Sequence, residues 1–189
     1  MKVIISSNKW IFGLSVLLGV FIVLGMQVYS RWTQPPQIKI NNLTTDISVT
    51  EQLKLDVVPQ LKAQGFATII DLRPDGEAAD QPAAATVESA ARANNVTFAY
   101  VPVPHGDIPD AAVAALDKAL STSPRPILLY CRSGRRAART WSLVEASRPG
   151  GLDAAAILAA VKASGQSADD LDTAITQRIA QRAQTLETQ

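Results

Sequence analysis

Apolar residues recur in two rhythms along this chain, and the switch between them predicts the architecture. Ile38, Ile40 and Leu43, then Ile47 and Val49, alternate as short strands do, with Asn41-Asn42 and Thr45-Asp46 as turn material. Asp56 is expected to cap a short helix that carries Pro59 at its third position and ends at Gly65. Phe66–Leu72 is apolar enough for a central strand. Ala83–Asn94 follows as a helix, with Val87 and Ala91 facing inward and Glu88 four residues before Arg92. Val96–Val103 reads as a strand whose end Pro102 and Pro104 place at an edge. Ile108–Leu120 is a helix with Val113, Leu116 and Leu120 on one face. Ile127–Tyr130 is a continuous apolar run, which suits a strand covered on both faces. From about Arg136 the spacing of Ala137, Trp141 and Val144 is helical again.

Strands that alternate with helices imply an α/β fold, a mainly parallel sheet flanked by helices. Arg148-Pro149-Gly150-Gly151 stops the helix after the last strand. Two more helices are expected over about 153–163 and 168–183, the second opened by a capping box of Ser167 and Asp170. Leu171, Ile175 and Ile179 recur every four residues as packing positions, and Gln184–Gln189 is expected to fray.

The N-terminal segment has a different pattern. Trp10–Tyr29 runs for twenty residues without a charge, about 30 Å as a helix and so one hydrocarbon core thick. Trp10 and Tyr29 stand at its ends, where amphipathic rings favour the membrane interface. A cleaved signal peptide is the competing reading, but its apolar region is normally shorter. The expected division is a flank over 1–9, a transmembrane anchor over 10–29 and a linker over 30–36 stiffened by Pro35 and Pro36. A catalytic domain over 37–165 and a C-terminal helix and tail over 166–189 follow. Lys2 and Lys9 before the apolar run favour a cytoplasmic N-terminus, with the domain on the extracytoplasmic (periplasmic) side.

Charge and composition narrow the chemistry. The formal net charge is +1, so no global field points to nucleic acid. His105 is the single histidine and no group of metal ligands is spaced for a site, so neither a metal nor a cofactor is expected. Basic character is local: six arginines fall within Arg125–Arg148, against Glu145 alone. Cys131 is the only cysteine, and a lone cysteine is often a small buried hydrophobe. Here it follows a strand, precedes a turn at Gly134 and a helix N-terminus, and is trailed by Arg132, Arg135, Arg136 and Arg139. Backbone N–H groups converging at a helix start make an anion bowl, and positive charge favours an ionised sulfur. Cys131 therefore reads as a nucleophile.

Cys131-Arg-Ser-Gly-Arg-Arg136 closely resembles the active-site loop of rhodanese-type sulfurtransferases, whose cysteine carries a persulfide. The wider stretch resembles the phosphatase-like domain of beta-lactamase-hydrolase-like proteins, built on the dual-specificity-phosphatase fold. Its landmarks are Ala67–Glu77, Tyr100–Asp107 and Tyr130–Arg136, within about residues 37–165. The resemblance implies a cysteine-phosphatase or rhodanese-like domain and leaves two chemistries. Phosphatase motifs place an arginine six residues after the cysteine, where this chain has Ala137; Arg136 comes one residue early, as in rhodaneses. The shorter loop favours a sulfurtransferase that takes a sulfane sulfur from thiosulfate or a persulfide onto Cys131 and passes it to a thiol acceptor.

In that reading Arg136 orients the anionic donor, with Arg132, Ser133, Gly134, Arg135, His105 and Arg73 as candidate anion or substrate contacts. The alternative is a phosphatase-like hydrolase with Asp107 as general acid. Asp107 also reads as a cap for the helix at Ile108, with Asp110 three residues on, and that role is favoured. Arg73 and Asp71 read as a structural charge pair or a second anion contact. A tethered binding module with an inert cysteine is the third reading.

Overall fold

The computed structural model describes residues 9–33 and 38–187. It divides into two compact units, residues 1–36 and 37–189. In the first, α1 (Lys9–Thr33) is a single helix. Its side chains are described at Gly13 and over 16–29, where Val16, Phe21, Met26 and Tyr29 are exposed. Among the described residues no helix is long and apolar enough to cross a membrane. The anchor expected over 10–29 is thus not supported by the described helix. Residues 1–8 of the expected flank and 34–37 at the linker's end lie outside the described residues.

The second unit has five strands: β1 (Asn41–Asn42), β2 (Ile47–Thr50), β3 (Thr68–Asp71), β4 (Thr97–Tyr100) and β5 (Ile127–Tyr130). They pair in the order β1-β2-β5-β3-β4, with β5 central. All neighbours are parallel except β1, which pairs antiparallel with β2, so the sheet is mixed rather than wholly parallel. The helices are α2 (Val58–Ala63), α3 (Ala84–Ala93), α4 (Asp110–Thr122), α5 (Arg135–Ser147), α6 (Ala154–Ala163) and α7 (Asp172–Glu187). Short 3-10 turns precede α2 and α7.

Strand side chains alternate between two buried layers, as period-two geometry requires. Ile127 and Leu129 of β5 join Val113, Leu116, Trp141, Val144, Ile157 and Ile175 on the face covered by α4 to α7. Leu128 and Tyr130 join Leu61, Ile69, Val87 and Ala91 on the face covered by α2 and α3. Cys131 continues the first register and belongs to the α5 layer. α7 is part of this core: Ile175 is fully buried, and Leu171 and Ile179 pack beside it. Arg182 reaches back from α7, its Nη1 donating to the carbonyls of Glu145, Ala146 and Arg148 and its Nη2 to that of Leu152, closing the C-terminal end of α5.

Three local expectations are corrected. Asp56 does not cap: it lies inside the 3-10 turn Leu55–Val57, and Pro59 stands in the first turn of α2. Ser167 pairs with Asp169 at 3.0 Å, which leaves Asp170 free to bind Arg139. The helix after β4 begins at Asp110, not Ile108, because Pro109 with its extended backbone is the cap.

Candidate active site

The residues singled out in the sequence follow strand ends, where open parallel sheets bind their ligands. Arg73 follows β3, His105 and Asp107 follow β4, and Cys131 follows β5. The turn from β5 into α5 needs glycine at position 134. Gly134 has φ of 82°, and a Cβ there would sit 3.2 Å from both Val49 Cγ2 and Gln166 Nε2 and 3.3 Å from the Thr50 carbonyl. The loop is held in place from outside. Gln52 N–H donates to the Arg132 carbonyl at 3.3 Å, and the Gln166 amide donates to the Ser133 carbonyl at 3.1 Å. The first N–H groups of α5 have no partner within the helix and remain available to an anion.

Cys131 is 1% exposed and lies at the floor of a cleft of about 510 Å³. Around it stand His105, Asp107, Arg132, Ser133, Arg135 and Arg136, with Arg139 and Asp170 at the margin. The structure thus gathers most of the expected site residues, and Gly134 shapes the loop without lining the cleft. Arg73 is not among the lining. Its Nε donates to Glu77 Oε2 at 3.1 Å and its Nη1 to Gln52 Oε1 at 2.8 Å, so its role is structural, not anion binding.

Arg136 departs from its expected part in one respect. Its Nη1 donates to the Val103 carbonyl at 2.8 Å and the Leu72 carbonyl at 3.4 Å, and its Nη2 lies 2.9 Å from Glu77 Oε1. Glu77 therefore bridges Arg73 and Arg136, tying the loop after β3 to the first turn of α5. Burial pushes the Glu77 carboxyl up, but the bonds from Arg73 and Arg136 outweigh it and hold it below the usual carboxylate range. Gln52 was missed in the sequence, and Glu77 was read only as the end of the Ala67–Glu77 landmark, without a role. The only signal was that Glu77 lies four residues after Arg73, and neither is in a helix, where that spacing has meaning.

Asp107 is exposed, and its Oδ1 accepts only the adjacent Ile108 N–H at 2.8 Å. It does not cap α4, contrary to the favoured expectation, because Pro109 intervenes. Asp110, expected to support that cap, is instead ion-paired with Arg178 of α7. Asp107 is left facing the cleft with Oδ2 unclaimed by any hydrogen bond among the described residues.

Behind the cleft, Asp71 and Tyr130 are direct partners across β3 and β5. Burial pushes Asp71 up to about 6, against the pull of the Tyr130 hydroxyl and the Arg73 N–H. Burial, together with the Asp71 charge, also raises Tyr130. Asp71 Oδ1 accepts the Arg73 N–H at 2.8 Å, whereas Asp71 Oδ2 and the Tyr130 hydroxyl have no hydrogen bond of ordinary geometry among the described residues.

Residues 39–148 match the family model for the phosphatase-like domain of beta-lactamase hydrolase-like proteins. The chain belongs to that family. A beta-lactamase hydrolase-like protein of Xylella fastidiosa strain Temecula1 is 32% identical over 108 residues, and one of Agrobacterium fabrum is 31% identical over 109. The match takes in 57% of this chain but 25% of the Xylella protein, so the chain spans about a quarter of the relatives it matches.

Among solved structures, a candidate phosphatase of Neisseria meningitidis is 26% identical with a TM-score of 0.65, covering 74% of this chain and 97% of that one. A kinase-associated phosphatase, solved with its catalytic-site cysteine replaced by serine, has a TM-score of 0.62 at 13% identity. It covers 80% of this chain and 98% of that one, and shares the fold. Family and neighbours are phosphatase-like, so they favour the hydrolase alternative over the sulfur transfer that the loop length suggested.

Proposed function

We propose that this domain hydrolyses phosphate monoesters through Cys131. The ionised sulfur attacks phosphorus in line with the ester oxygen, the P–O bond breaks, and Asp107 gives its proton to the departing alkoxide. A water, deprotonated by the same Asp107, then attacks the cysteinyl phosphate; inorganic phosphate leaves and the thiolate is restored. Negative charge developing on the phosphoryl oxygens faces the unpaired N–H groups of α5, and Arg136, tied to Glu77, holds the first turn of that helix in place. The observation that carries this reading is Asp107: it lies on the same cleft as Cys131 and is not consumed as a helix cap.

Sulfur transfer is the second reading. What favours it is loop length, with Arg136 five residues after Cys131 instead of six. The two separate in one paired assay, p-nitrophenyl phosphate hydrolysis against thiosulfate–cyanide transfer. The expected result is aryl phosphate hydrolysis that Cys131→Ser abolishes and Asp107→Asn lowers by about 10²–10⁴ in kcat. Thiosulfate turnover without phosphate turnover, indifferent to Asp107→Asn, would sink the hydrolase and leave sulfur transfer standing.

We also propose that residues 10–29 tether the domain to a membrane, with the cleft on the extracytoplasmic side. The support is the uncharged run between Trp10 and Tyr29. A membrane-impermeant thiol reagent should label Cys131 in intact cells; labelling only after permeabilisation reverses the orientation.

A further inference from the structure

The cleft carries more positive charge than one reacting group needs. Four arginines line it against two aspartates. Two of the four are already matched: Arg136 is bound to Glu77, and Arg139 to both carboxylate oxygens of Asp170. The hydrogen bond from Arg139, helped by its charge and that of Arg135, holds the Asp170 carboxyl below its ordinary range. Arg132 and Arg135 have no hydrogen-bonded or ion-paired side-chain partner among the described residues, and both are exposed on the lining. They flank the loop on either side of Ser133-Gly134, and that loop is fixed by the Gln52 and Gln166 contacts. Two uncommitted guanidinium forks, carried on a backbone that is fixed beside Cys131, suit a second anion, since each fork matches a phosphate or carboxylate with two parallel N–H bonds. The cleft volume of about 510 Å³ is the other half of the observation. It lies inside the range of about 300–1,000 Å³ typical of pockets for small organic ligands.

We propose that the substrate is a small organic molecule with two anionic groups: a phosphate ester seated at Cys131 and a second phosphate or carboxylate held by Arg132 and Arg135. This rests on the hydrolase reading for the first group only; recognition of the second is a matter of binding. The test therefore measures binding in the full-length chain carrying Cys131→Ser, which holds ligand without turning it over. Calorimetric titration in detergent at about 0.15 M salt compares glucose 6-phosphate, glucose 1,6-bisphosphate and 6-phosphogluconate. The two ligands that carry a second anionic group should bind about tenfold or more tighter than glucose 6-phosphate, equivalent to about 1.4 kcal/mol. A preference for the bisphosphate alone assigns the second subsite to phosphate; a preference shared by 6-phosphogluconate admits carboxylate.

Adding R132Q and R135Q together should reduce that ratio to about two or less, and the ratio itself corrects for any general loss of affinity. Both side chains are exposed, and the single variants repeat the measurement should the double variant fail to fold. A ratio near one with the arginines intact overturns the inference, as does a preference that survives their removal. Preference without any ester hydrolysis by the wild type overturns the hydrolase reading and leaves the subsite in place.

Discussion

Glu77 offers the clearest quantitative test, because the molecule contains its own control. Glu77 and Arg73 are four residues apart, as are Glu88 and Arg92, and both pairs are ion-paired at 3.1 and 2.7 Å. What differs is burial, and Glu77 also binds a second guanidinium, that of Arg136. The Arg92 and Glu88 side chains are 78% and 46% exposed, while Arg73, Arg136 and Glu77 are 5%, 11% and 20% exposed. Replacing Glu88 by Gln removes a pair screened by water, at a cost of about 0.5 kcal/mol or less. Replacing Glu77 by Gln removes the charge between two nearly buried guanidinium groups and leaves them facing each other. Hydrogen bonds to charged groups contribute about 1.5–3 kcal/mol each. Two of them, discounted for the remaining exposure of Glu77, give a loss of about 2–4 kcal/mol. For a domain of this size that lowers Tm by about 4–16 °C.

The pH dependence carries a sign. The Glu77 carboxyl is held below its ordinary value, so its stabilisation is present above the unfolded carboxylate range. It is lost as pH falls through the lower folded value. Urea unfolding of wild type, Glu77→Gln and Glu88→Gln at neutral and acid pH reads all of this. The gap between the two variants should be about 2 kcal/mol or more at pH 7 and should close in acid. Equal, small losses for both variants at pH 7 would refute the bridge as a structural element.

Asp71 titrates the other way. With its folded value raised from 3.8 to about 6, ionisation costs stability as pH rises through that window. Asp71→Asn, which resembles the protonated acid, should match wild type below about pH 4 and exceed it above pH 6 by up to about 3 kcal/mol. Unfolding at a series of pH values checks this, and a variant less stable at pH 8 than wild type rejects it. Gly151→Ala should destabilise by about 1–3 kcal/mol, because a Cβ there would meet the Glu145 carbonyl at 2.1 Å and Arg182 Nη1 at 2.8 Å. Thermal unfolding reads the loss, and Arg182→Ala in the same background should then cost less than it does alone, since the clash already weakens its bonds.

Much of this architecture is local and therefore legible in one dimension. The Ile127–Tyr130 run, the glycine at 134 and the helical spacing of Ala137, Trp141 and Val144 each follow from backbone sterics and burial period, and they appear as β5, the turn and α5. The Glu88–Arg92 pair was equally readable, because both ends lie on one helix. The sequence also placed His105, Asp107 and Cys131 after strand ends, which in a parallel sheet brings them to one rim.

Tertiary structure decided the rest, wherever a contact joins residues far apart in the chain. Arg136 spans 59 positions to Glu77 and 33 to the Val103 carbonyl, and no periodicity in the sequence encodes such a pairing. Asp107 and Pro109 compete for the start of α4, and local propensity favoured the aspartate; the extended backbone at Pro109 gave the cap position to proline. The same limit applies to the four arginines of the loop. In sequence they are one basic cluster, because charge has no partner until folding supplies one. Only folding set Glu77 against Arg136 and Asp170 against Arg139, and so left Arg132 and Arg135 with no hydrogen-bonded or ion-paired side-chain partner among the described residues.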